Sequence, residues 1–204
     1  MLNRKIGNKG VLKMPKTEKK KTEKIKARNT TSRDPMFVGM DPSYNGFAIV
    51  ILDQDANIID QKLFGSTKTK EAEDRLIELE QEYDFIPHIA CLHSVCVEAP
   101  AYSSRGQFIL QMGALHYMIR IMFRRQNVKF KVIAPTTLKK FVTGTGRAKK
   151  DLMLLKVYKK WGVEFSDDNL ADAYGLARMA LEEYNNENKK LPEQDSGVKG
   201  DKQK

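Results

Sequence analysis

The sequence predicts one α/β domain, a mixed five-stranded sheet with helices on both faces, held between two polar chain ends. Three observations carry that prediction. The apolar runs Phe37–Met40, Phe47–Leu52 and Ile58–Phe64 follow one another at short intervals, helical and extended patterns then alternate as far as Tyr184, and both ends are too polar to join a core. At 204 residues the chain suffices for one domain with a sizeable core, or at most two small ones.

The first three runs are separated by turn residues, Pro42, Asn45 and Gly46 and then 53–57, which predicts an antiparallel meander. Leu76, Leu79, Tyr83 and Ile86 recur at helical spacing in a Glu-rich stretch, predicting an amphipathic helix over about 70–86. The short run Ser94–Val97 reads as a buried fourth strand ending at Glu98. Phe108, Met112, Leu115, Ile119 and Met122 then form one stripe of a long helix, which core packing explains. Phe130–Ala134 is a fifth strand, Pro135 suits a helix start, and helices follow over 138–142, 149–161 and 168–184.

Charge is unevenly distributed. Of the net +10, residues 1–35 hold 12 Lys/Arg against Glu18, Glu23 and Asp34, so the excess belongs to the N-terminal arm. The arm is expected to be a disordered basic segment, with a mitochondrial presequence as the alternative; residues 185–204 are expected to form a disordered polar tail. Residues 36–184 make the domain. Within it, 120–160 contain 13 Lys/Arg and the single acid Asp151, the footprint of a phosphate-binding face. No apolar run approaches the roughly 18 residues of a membrane span, and no secretory signal is read. Cys91 and Cys96 have no second pair to complete a zinc site, and His88, His93 and His116 lack ligand spacing.

The acids are more informative. Asp41 follows an apolar run and precedes Pro42; Glu98 follows another and precedes 99–100, Ala-Pro. Were those strands neighbours, about 5 Å apart, the two carboxylates would converge and repel unless a cation lay between them. In "SDDNLADAYGLARMA", Asp168 and Asp172 are four apart and share a helix face, while Ala171, Ala173, Gly175 and Ala177 allow close approach to a sheet. Oxygen-only ligation favours Mg²⁺ or Mn²⁺. Each acid also has an ordinary reading: Asp41 as a turn cap, Glu98 as an exposed strand end, Asp167 or Asp168 as a helix N-cap.

"GMDPSYNGFAIV", "CVEAPAY", "APTTLKKFVTGTGRAKK" and "DNLADAYGLA" occur in the order and spacing of the RuvC-type Holliday-junction resolvases, and the chain most resembles their phage-encoded members. The resemblance spans roughly residues 36–182. It implies a ribonuclease H-like fold and a homodimeric Mg²⁺-dependent endodeoxyribonuclease, with two ions per site and Mn²⁺ as a substitute, that cuts four-way junctions, flaps or other branched DNA in recombination or phage DNA debranching. A cytoplasmic location, that of the host for a phage protein, goes with it.

By position, Asp41 matches the family's first-strand acid, Glu98 its middle-strand acid and Asp172 its final-helix acid. Where the family has a further acid or histidine this chain has Asn169, and Asp168 is the candidate fourth ligand. Lys139 and Lys150 match basic residues near the scissile phosphate, with Lys150 expected to stabilise developing charge. Arg124, Arg125, Lys140, Arg147 and Lys149 are expected to hold flanking phosphates. Tyr102 lies one position beyond an aromatic that some cellular members place at the junction centre; that position is Ala101 here. The competing readings are a sugar kinase or actin-like ATPase, which needs a second Gly-rich loop, a non-catalytic branched-DNA binder, and a related nuclease acting on RNA or flaps.

Overall fold

Two strands buried on both faces dictate the architecture. A computed structural model describes residues 34–65, 71–81, 92–100 and 106–189. In chain order the elements are β1 (Met36–Asp41), β2 (Gly46–Leu52), β3 (Ile58–Gly65), α1 (Ala72–Gln81), β4 (Leu92–Glu98), α2 (Gln107–Arg125), β5 (Phe130–Ile133), α3 (Pro135–Thr143), α4 (Lys150–Trp161) and α5 (Asp168–Asn188). Every residue of β1 and β2 is buried, which their near-continuous apolar sequence requires of strands covered on both sides.

The sheet runs in the order β3-β2-β1-β4-β5. The first three strands are the antiparallel meander that the short turns predict, while β4 joins β1 in parallel and β5 joins β4 in parallel. Strand alternation sorts side chains to two cores. Val38, Met40, Val95 and Val97 meet Leu79 of α1 and Leu115, Ile119 and Phe123 of α2; Phe37 and Cys96 meet α3, α4 and α5 on the other face.

Several boundaries depart from the sequence expectation. Of the helix expected over 70–86, α1 supplies Ala72–Gln81, and Tyr83 and Ile86 lie outside the described residues. Phe108 is 43% exposed rather than part of the core stripe, because the first turn of α2 also leaves Ile109 and Leu110 uncovered. Helix α5 continues to Asn188, past Tyr184, so residues 185–188 are helical rather than part of a polar tail. The arm from 1 to 33, Cys91, His88, Ala101 and Tyr102 lie outside the described residues. Among the described residues, no helix is long and apolar enough to cross a membrane.

Helix α5 governs the interior. Its small residues Ala173 and Ala177 bring its backbone onto β1 at Gly39, where a Cβ would lie 1.9 Å from the Ala173 oxygen and 2.3 Å from the Ala177 nitrogen. Only a residue without a side chain permits that approach. The close contact sets the height of α5 above the strand two residues before Asp41.

Candidate metal centre

Register and parity bring the acids together. Met40 pairs with Val97 in the parallel β1–β4 ladder, so the next residues, Asp41 and Glu98, stand side by side at the strand ends. Both side chains fall on the α5 face, by alternation from Met40 and Val97 on the opposite one. Asp172 descends from α5, and one carboxylate oxygen from each of Asp41, Glu98 and Asp172 lies within 4.8 Å of the others.

The ordinary roles of these acids are taken by other residues. Ser43 Oγ accepts from the Gly46 nitrogen at 2.8 Å and so closes the turn after β1, while Asp167 caps α5 by accepting from the nitrogens of Asn169 and Leu170. Asp41 is buried within its strand, not spent on a turn.

The electrostatics are those of crowded, buried or half-buried carboxylates. Burial pushes the Asp41 carboxyl well above the usual range, and the neighbouring Glu98 and Asp168 charges and a hydrogen bond to Glu98 push the same way. Burial also raises Glu98, with the Asp172 charge adding to it, against the hydrogen bond from Asp41 and the Lys139 charge, which lower it. Asp172 rises to about 7, chiefly by burial and then through Asp41 and Asp168. Asp172 Oδ1 is buried without a hydrogen-bond partner. Three convergent carboxylates, all destabilised as anions and one with an orphaned oxygen, fit a hard divalent cation as the missing counter-charge.

Two lysines act on this cluster. Lys150, the first residue of α4, forms an ion pair with Asp168 Oδ2, and its charge also acts on Asp41 and Asp172; Lys139 of α3 acts on Glu98 and Asp172. Asp168, named as a fourth ligand, thus sits beside the triad with its carboxylate held by Lys150. Asn169 turns to the β1–β2 turn, where its Nδ2 would be 2.7 Å from a Cβ on Gly46.

The other expected DNA contacts divide. Lys140, Arg147 and Lys149 are exposed on the same α3–α4 segment as Lys139 and Lys150. Gly144 adopts a left-handed φ of 85° and caps the C-terminus of α3. Arg124 is not brought to the acids. It stands over the Phe130 ring and lines a cavity of about 410 Å³ with His93, Ser94 and Lys129. Ser94, which lines the same cavity, is four residues before Glu98, about 13 Å back along β4.

Sequence reasoning missed the residues that hold the site. An isolated glycine within a strand was a readable sign of close backbone approach at Gly39. Arg75, which donates to the Tyr44 carbonyl behind Asp41, carried no sign in a Glu-rich helix.

No family model matches the chain. Among curated proteins, it is similar to a protein named crossover junction endodeoxyribonuclease RuvC from Sulfurovum sp. strain NBC37-1, 24% identical over 151 residues, covering 72% of this chain and 94% of the relative. A protein of the same name from Petrotoga mobilis is 24% identical over 147 residues, covering 70% and 90%. Among solved structures, Thermus thermophilus RuvC in complex with Holliday junction substrate superposes with a TM-score of 0.60 at 18% identity, covering 70% of this chain and 90% of that one. The sheet order and that superposition establish the ribonuclease H-like fold.

Proposed function

We propose, from its distant kinship with RuvC-type resolvases, that this chain is a metal-dependent, structure-selective endonuclease that cleaves Holliday junctions and other branched DNA. The observation that carries the reading is the convergence of Asp41, Glu98 and Asp172, with an orphaned Asp172 oxygen, at the sheet end where the α3–α4 lysines gather.

Asp41, Glu98 and Asp172 would hold Mg²⁺ or Mn²⁺, two ions with Asp168 as an added ligand, and such ions supply an activated water and charge stabilisation at the leaving oxygen. The rest falls to the chain's own side chains. The buried Asp41 and the half-buried Glu98 and Asp172 are held at a fixed spacing by the packing of β1, β4 and α5. Lys139 and Lys150 draw a phosphate oxygen toward the acids and offset the negative charge on the non-bridging oxygens of the phosphorane. Lys150, paired with Asp168 in this structure, would be free to meet a phosphate wherever Asp168 served as a ligand instead. Lys140, Arg147 and Lys149 hold neighbouring phosphates and thereby fix the strand's register.

A four-way junction has two strands to cut, so a second copy is part of the proposal. Helix α2 carries a seam opposite its core face: Leu110, Ala114, Tyr117 and Ile121, spaced four, three and four apart, with Leu110 74%, Tyr117 62% and Ile121 47% exposed. That spacing suits a helix from a second protomer. Residues 36–184 would carry the nuclease and the basic arm would add sequence-blind phosphate affinity, so removing the arm would weaken binding to all DNA shapes alike and flatten its salt dependence. Ala101, where some cellular members have an aromatic, favours the broad branch selectivity of a phage debranching enzyme working in the host cytoplasm. Asp41→Asn and Glu98→Gln test the site: each is expected to lose Mg²⁺-dependent cleavage while binding branched DNA as well as or better than wild type. Retained cleavage in either would remove the assignment.

A further inference from the structure

Asp41 is the last residue of β1, so the turn that follows it decides where its carboxylate stands. That turn is clamped from both faces of the sheet. On the α1–α2 face, Arg75 is buried, and its Nε donates to the Tyr44 carbonyl at 3.1 Å while Nη2 donates to the carbonyls of Gly65 at 2.9 Å and Phe64 at 3.3 Å. Nη1 pairs with Glu78 Oε2 at 3.2 Å. One guanidinium therefore fastens the turn after β1 to the end of β3. The Tyr44 hydroxyl donates to the Gln111 carbonyl of α2 at 3.0 Å, tying the same residue to a second helix. On the α5 face, Asn169 presses against Gly46.

A buried charge is an expensive way to fill space, and a well-packed apolar side chain would serve stability equally well. What a guanidinium adds is a planar fork of five donors spread over three nitrogens, reaching three carbonyls and the Glu78 carboxylate at once, where an ammonium offers three donors from a single atom. The side chain is thus suited to hold the turn in one place. The groups that support metal ligands tune a site as strongly as many ligands do.

We propose that Arg75 is a positioning residue for the metal centre: by clamping the Tyr44 carbonyl it holds Asp41 where Glu98 and Asp172 converge. The proposal rests on the metal-nuclease reading. Arg75 touches neither cation nor DNA and acts only through the turn.

The test compares full-length wild type, Arg75→Met and Arg75→Lys by calorimetric titration with Mn²⁺, by the Mg²⁺ dependence of four-way-junction cleavage, and by thermal melting. Arg75→Met is expected to weaken Mn²⁺ binding by about tenfold or more, and Arg75→Lys by a smaller factor. In both, cleavage returns toward wild type at high Mg²⁺ and the KM for DNA stays within about twofold, a split that general loosening of the fold would not produce. Mn²⁺ affinity in folded Arg75→Lys equal to wild type, or cleavage lost equally at all Mg²⁺ concentrations, would overturn the proposal. Should Arg75→Met fail to fold, the lysine variant alone decides. Wild type that binds no Mn²⁺ would overturn the metal reading, and the positioning role with it.

Discussion

Gly39 of β1 and Ala173 of α5 are so close that a Cβ on the glycine would lie 1.9 Å from the alanine oxygen. Asp41 is two residues beyond Gly39, and Asp172 is the residue before Ala173. The contact that packs the core therefore also sets the distance between two acids of the site. Gly39→Ala is expected to lift α5, to cost about 3 kcal/mol or more by overpacking, and to weaken Mn²⁺ binding even where the protein remains folded. Circular-dichroism melting together with a Mn²⁺ titration would read both effects.

The raised carboxyls give stability a sign with pH. Asp172 titrates near 7 in the folded chain against an ordinary 3.8, so the folded state holds a proton that the unfolded state releases. Its contribution is complete below about pH 4 and is lost as pH rises through 7. In EDTA the melting temperature is expected to fall between pH 5.5 and 8, and Asp172→Asn is expected to flatten that fall. Mn²⁺ restores stability most at pH 8, since cation binding displaces the protons. A melting temperature in EDTA that rises over the same interval would contradict the assignment.

The α2 seam predicts a self-association that one substitution breaks. Tyr117→Glu places a carboxylate at the middle of the exposed stripe formed with Leu110 and Ile121. Sedimentation equilibrium is expected to show a dimer for wild type and association weakened by about 30-fold or more in the variant. Junction cuts would then lose their pairing, while single nicks persist.

Most of the architecture was legible because it follows from periodicity. The runs Phe37–Met40 and Ser94–Val97 stood out as strands, and the acids at their ends stood out jointly, with the i,i+4 pair Asp168 and Asp172, although each alone has an ordinary reading. The proximity of the two acids was conditional in the sequence and follows in the structure from the Met40–Val97 pairing. What stayed hidden depends on long-range geometry. Arg75 is one charged residue among several on α1, and its service to carbonyls 10 and 31 residues away leaves no local pattern. The place of Arg124 beside Phe130 was hidden for the converse reason: a basic run in sequence says nothing of which end of a helix faces which end of a strand.

The most direct test of the central claim is cleavage of a labelled four-way junction, a flap and linear duplex, in Mg²⁺ and in EDTA, by wild type and Asp172→Asn. Paired symmetric nicks on the junction are expected from wild type in Mg²⁺ and from neither EDTA nor Asp172→Asn samples, with the variant slowed by at least about a hundredfold, or roughly 3 kcal/mol of lost transition-state stabilisation. Tight junction binding without cleavage by wild type in Mg²⁺, or cleavage undiminished in Asp172→Asn, would contradict it.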